Sequence, residues 1–205
     1  MKKSTVILLA LVLIIASCGG PSRMMIGQSK VVDTSGDKPG WVKKADVSWV
    51  EKQNIYVRAM INNQVDYSLG QQSCKAEGIR QILEQVKVRG RADFANALRG
   101  DNTEQGVLGR VTESVIALTT DNLDISGVVA DEVYWEKYET YTGGAVEYSY
   151  TIQGVYYIPE AKYHEAVQRS MMSASDKAKA ENDKVAQELL DKAKERLFKD
   201  ESTGN

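Results

Sequence analysis

The stretch "DISGVVADEVYWEKYETYTGGAVEYSYTIQGVYYIP", residues 124–159, limits the fold more than any other part of this chain. Val128, Ala130, Glu132 and Tyr134 alternate with Val129, Asp131, Val133 and Trp135, the period of two expected of a half-buried strand. Val146, Tyr148, Tyr150 and Ile152 repeat it after Gly143-Gly144, a pair suited to a hairpin turn. An earlier run, Asn54–Ile61, alternates Ile55, Val57, Ala59 and Ile61 with Tyr56, Arg58 and Met60. Flanking segments carry helical spacing. The expected fold class is therefore α+β: a small antiparallel sheet made of one N-terminal strand plus a Tyr-rich hairpin, packed by one or two helices, with a long C-terminal helix.

Asp66 is a fitting N-cap for a helix over about 67–98. Leu69, Ala76, Ile79, Leu83 and Val86 form its apolar stripe, continued by Phe94, Ala97 and Leu98, while Gly78 and Gly90 each weaken it by up to ~1 kcal/mol relative to Ala. A break near Gly90 is expected. The basic run Lys87-Val88-Arg89-Gly90-Arg91 reads as a solvated helix face. A second helix starts near Thr103, with Val107, Val111, Val115 and Leu118 on one side. After Pro159, which suits a first helical turn, residues 160–200 read as helical throughout. Their seam of Val167, Met171, Ala174, Ala178, Val185, Leu189, Ala193 and Leu197 leaves the charged second half either solvated or open to self-association.

The N-terminus determines location. Lys2 and Lys3 precede the apolar run Val6–Ala16, which would span roughly 16 Å as a helix. That is about half of the ~30 Å hydrocarbon core of a bilayer. A charged start, a short apolar run and small residues at its exit describe a secretory signal. Ile15-Ala16-Ser17-Cys18 resembles a bacterial lipobox, which implies transfer of diacylglycerol to the Cys18 thiol, cleavage between Ser17 and Cys18, and acylation of the freed Cys18 amine with a chain such as palmitate. One chain anchors marginally, whereas several hold a protein on a membrane. The lipid bilayer, reached through acylated Cys18, is thus the first expected partner. Gly19, rather than Asp, points to the outer membrane, periplasmic face, or to the outer face of the cytoplasmic membrane in a one-membrane organism. The expected organisation is 1–17 signal peptide, 18–40 acylated Cys and flexible tether, 41–172 α+β domain, and 173–205 charged C-terminal helix and tail.

Loss of Lys2 and Lys3 would move the formal charge from −2 to about −4. An acidic balance disfavours nucleic acid as a partner. Cys74 would be the one free thiol, most simply a small buried hydrophobe. His164 is the single histidine, and no Cys/His spacing surrounds it. Nucleophile-elbow, zinc-protease and phosphate-loop motifs are absent from the sequence. No catalytic residues, metal site or cofactor are expected. Eight of the ten tyrosines lie between Tyr134 and Tyr163. They fit cross-strand packing. They also fit an interaction surface, for which Tyr134, Trp135, Tyr148, Tyr150 and Tyr156 are the candidates.

A lipobox, a Gly/Pro-rich tether, Lys38-Pro39-Gly40-Trp41, the strand "IYVRAMI", a long helix and a return strand ending at Val155-Tyr156-Tyr157 together resemble the LPP-type family of small outer-membrane lipoproteins. The resemblance covers about residues 38–160. It implies a structural, self-associating role in the cell envelope, with envelope or flagellar proteins as partners, since one member builds a ring around the flagellar motor. Two functions are carried forward. One is a non-catalytic envelope scaffold or assembly factor, as a homo-oligomer and linked to motility. The alternative is a periplasmic lipoprotein that binds a glycan or small molecule on its Tyr-rich sheet.

Overall fold

The computed structural model describes residues 25–199, so Ser17, Cys18 and the signal segment lie outside the described residues. The chain runs β1 (Ser29–Thr34), β2 (Ser48–Glu51), β3 (Asn54–Gln64), α1 (Tyr67–Ala97), α2 (Gln105–Asn122), β4 (Val129–Tyr141), β5 (Val146–Pro159), α3 (Glu160–Ala180) and α4 (Lys184–Leu197). The five strands form one antiparallel sheet in the order β1-β4-β5-β3-β2, with the helices on one face. The α+β class is as expected, but the sheet has two strands more than the alternation signalled.

Both additions are edge strands whose patterns are too short to read. β1 falls inside the stretch expected to be a tether. Its Val31 and Val32 are exposed, so no hydrophobic alternation marks it. It is held instead by backbone pairing with β4, by Ser29 Oγ on Thr140 Oγ1 at 2.7 Å, and by the Lys30–Glu139 ion pair at 3.1 Å. β2 joins β3 through Lys52 and Gln53, which adopt φ of 49° and 60°. Two left-handed residues match the right-handed twist of a tight hairpin, a place where Asn-Gly is usual. Neither residue announces a turn.

Asp66 caps α1, accepting from Leu69 N at 2.8 Å. The buried line of α1 is Gly70, Cys74, Gly78, Ile82, Val86, Gly90 and Phe94, one residue in four. The expected stripe is buried at Val86, Phe94, Ala97 and Leu98, but in the first half of the helix it is displaced: Leu69 and Ala76 are exposed, and Ile79 and Leu83 only flank the core. Side-chain hydrophobicity misleads here because the glycines are contact points. A Cβ at Gly78 would fall within 2.8 Å of three ring carbons of Tyr156, and one at Gly90 would meet Ile116 Cδ1 at 2.5 Å. The helix runs through Gly90 without the expected break.

The C-terminal half also differs from expectation. Residues 160–200 do not form one helix. Asn182 takes φ 55° and Asp183 caps α4 by accepting from Ala186 N at 3.0 Å, so the chain turns back. Ala186, Leu189, Leu190 and Ala193 then join the same core as Ala174 and Ala178. The segment expected to stand apart from residue 173 is part of the domain. It is pinned by Arg110–Asp183, by Lys192–Asp101, each at 3.0 Å, and by Arg196 donating to Ala97 O at 2.6 Å.

The two kinds of helical glycine make opposite predictions. Gly78→Ala should destabilise by about 1–3 kcal/mol, because overpacking a fixed ring outweighs helix propensity. Gly109→Ala in α2, where a Cβ meets nothing within 4 Å, should stabilise by about 0.5–1 kcal/mol. Chemical denaturation of the two variants measures both, and a stabilised Gly78→Ala would contradict the packing.

Candidate interaction surfaces

Strand register assigns each aromatic ring to a face. Val57 pairs with Tyr156 and Ile55 with Ile158, which places them under α1. Tyr156 is buried there. Its ring lies between Gly78 of α1 and Gly154 of its own strand, beside the buried Cys74 thiol. Burial pushes both the Tyr156 hydroxyl and the Cys74 thiol up from their ordinary values. Cys74 Sγ is also 3.6 Å from Ile152 O, and it packs as a small core residue.

Tyr134 is buried on the opposite face, and a strap of chain explains why. β1 and β2 occupy opposite edges although they are consecutive in sequence, so residues 35–47 must cross the sheet. They cross the face that carries no helix. Lys38 Nζ binds Glu136 Oε1 at 2.9 Å, and Glu136 also accepts from the Tyr134 hydroxyl at 3.0 Å and from the Tyr138 hydroxyl at 2.6 Å. Trp41 Nε1 donates to Glu132. Arg58 donates to the carbonyls of Trp41, Val42 and Lys44 at 3.0, 3.2 and 2.5 Å. The strap thus brings Lys38-Pro39-Gly40-Trp41 over the strand that bears Val155-Tyr156-Tyr157, since Glu132 is the register partner of Val155.

The expected surface of five residues is therefore divided. Tyr134 and Tyr156 are buried on opposite faces, which is a correction for both. Alternation shows which residues share a face. It does not show that one face is covered by helices and the other by a polar strap. Trp135, Tyr148 and Tyr150 remain together on the helix-bearing side, beyond the N-terminus of α1. Tyr67, Trp135 and Tyr150 form a three-ring cluster with centroids 5.5–5.8 Å apart. Lys137 lies 4.8 Å from the Tyr148 ring centre and 5.6 Å from that of Tyr150, in cation–π geometry. Tyr148 is exposed, and Trp135 and Tyr150 are half-buried.

A second aromatic row went unread in the sequence. On the strap face Trp49 stacks on Tyr56 at 5.3 Å, and Tyr56 meets Tyr157 at 5.2 Å, with Lys44 over Trp49 at 5.5 Å. The register Trp49↔Tyr56↔Tyr157 produces it, and only a paired β2 reveals that register. The basic run 87–91 is tied down rather than free. Arg89 binds Glu160 and lies over the Tyr163 ring, Arg91 binds Glu113 at 2.8 Å, and Lys87 binds Glu84 at 3.1 Å. His164 is half-buried beside Tyr163. Among the described residues no group of His, Cys, Asp and Glu is placed to hold a metal ion. Comparison with family models, with curated proteins and with solved structures finds no match.

The carboxylate at the centre of the strap gives a titration test. Burial raises the Glu136 pKa, but hydrogen bonds from Tyr138, Lys38 and Tyr134 outweigh it and hold the carboxyl below its ordinary value. The same hydrogen bond pushes the Tyr138 hydroxyl up to about 12. A hydroxyl that titrates higher when folded than when unfolded stabilises fully below its unfolded pKa of 10.0 and loses that effect as pH rises through about 12. Glu136→Gln should return this tyrosine toward its ordinary value, read as tyrosinate absorbance appearing at lower pH.

Proposed function

We propose that this chain is a lipid-anchored lipoprotein of the bacterial envelope whose domain acts as a non-catalytic scaffold or assembly factor. The observation that carries the reading is the lipobox Ile15-Ala16-Ser17-Cys18, followed after a short connection by one folded domain. No helix among the described residues is long and apolar enough to cross a membrane. The outer membrane is the proposed site, on the ground of Gly19. The likeness of the 38–41 and 155–157 stretches to LPP-type lipoproteins supports an assembly role, with envelope or flagellar proteins as partners.

Self-association has a different proposed surface from the one suggested by the sequence. In the apolar seam of α4, Leu189 and Ala193 face the domain's own core and Val185 is exposed. β1 is an edge strand with Val31 and Val32 exposed, and an open edge can pair with an edge of another copy. The glycan or small-molecule alternative is left with Trp135, Tyr148 and Tyr150 as its aromatic residues, because the other two candidate rings are buried.

Cys18→Ser should abolish incorporation of an alkyne-bearing fatty acid and move the protein out of the envelope fraction. Envelope retention of that variant, or an unlabelled native chain, would refute the anchor. Pairing through β1 should appear as dimers or larger species in light scattering. Val32→Lys should convert them to monomers, and a native chain that is monomeric at high concentration would refute it.

A further inference from the structure

The start of the described chain packs against the tip of the β4–β5 hairpin. Gly27 N donates to Tyr141 O at 2.8 Å, and Tyr141 N donates to Gln28 O at 3.4 Å. The Ile26 side chain lies beside Gly143, whose added Cβ would be 3.2 Å from Ile26 Cδ1. Met25 is seven positions after Cys18. Even fully stretched, that length spans about 25 Å. The hairpin tip is therefore the part of the domain tied most closely to the acylated residue. The opposite end of β4 is some 40 Å farther away, at about 3.3 Å per residue.

The composition of this end fits a lipid surface. Residues 24–29 and 140–146 contain no charge, and Arg23 is the one charged residue between Cys18 and Lys30. Met25 and Ile26 are each 74 % exposed, and Val146 and Tyr148 are 46 and 49 % exposed. Tyr141 and Tyr148 supply rings with an apolar body and a polar end, the type enriched at membrane interfaces. Three backbone groups at the tip are engaged internally: Thr142 N donates to Ala145 O at 3.0 Å, and the Tyr141 hydroxyl donates to Gly143 O at 3.2 Å. Such pairing lowers the cost of leaving water. Behind the tip, Glu147 and the Lys30–Glu139 pair mark a charged boundary that stays at headgroup level.

We propose that this hairpin tip, with Met25 and Ile26 beside it, seats in the leaflet that holds the acyl chains of Cys18, as a second lipid contact that orients the domain. The inference rests on the lipid-anchor reading. Because the anchor makes the second contact intramolecular, weak intrinsic affinity is sufficient. With the tip in the leaflet, the long axis of the sheet stands away from the membrane and the β2–β3 turn points outward.

The test uses the full chain, processed and acylated in cells, and reconstituted in vesicles of phosphatidylethanolamine and phosphatidylglycerol. Cys74 is buried and Cys18 acylated, so a nitroxide attaches selectively at a single added thiol, either Val146→Cys at the tip or Ile125→Cys before the far end of β4. Collision rates with oxygen, which enters lipid, and with a water-soluble nickel chelate are compared. The oxygen-to-nickel ratio should be several-fold higher at position 146 than at 125. Equal ratios in an acylated chain that floats with the vesicles would overturn the tip contact and leave the anchor standing. A chain that neither carries the acyl label nor floats would overturn both.

Discussion

The close approach of α1 to the sheet is the contact on which the rest of the domain depends. It exists because Gly70, Cys74 and Gly78 put almost nothing between the helix backbone and strands β3 and β5. The Tyr156 ring fills the space that remains, held against Gly154 from below and Gly78 from above. Replacing small residues along such a line with larger ones would lift the helix and uncover Ile55, Val57 and Ile152 together. The C-terminal half of α1 uses the same line against a different partner, Ile116 of α2. One face thus joins the sheet layer to the helical layer that α3 and α4 complete.

Strand order imposes the second constraint. With β1 and β2 at opposite edges, the connection between them must cover one face of the sheet. A strap has no regular ladder to satisfy its backbone. Here Arg58 supplies partners for three of its carbonyls, and the Glu132 and Glu136 carboxylates bind its Trp41 and Lys38 side chains. A buried carboxylate is costly unless it is well hydrogen-bonded, and Glu136 has three donors. The consequence is a sheet with two differently built sides, an apolar one under helices and a polar, aromatic one under the strap.

Elements with strong periodic or capping signals could be read from the residues alone. Gly143-Gly144 marks the hairpin, Asp66 begins α1, and Pro159 precedes α3. What escaped reading was set by tertiary context. β1 has no alternation because both its valines face solvent, and the β2–β3 turn uses Lys52 and Gln53 where glycine or asparagine would be the visible signal. The buried line of α1 was hidden because a glycine that permits contact looks the same in sequence as one that weakens a helix. The turn at Asn182 was legible in principle, as Asn followed by a capping Asp, but lay within a strongly helical composition. For the candidate surface, parity along β4 and β5 was readable and coverage was not, which is why Tyr134 and Tyr156 proved to be interior residues.

The first strand closes against the fourth across 111 residues, and the last helix seals the core from the far end of the chain. Contacts of such long sequence separation form late, because loop closure must precede them. No N-terminal fragment of this domain can complete its core while the remainder is still emerging. A polypeptide threaded amino end first through a narrow channel would thus lack its complete core until helix α4 had passed.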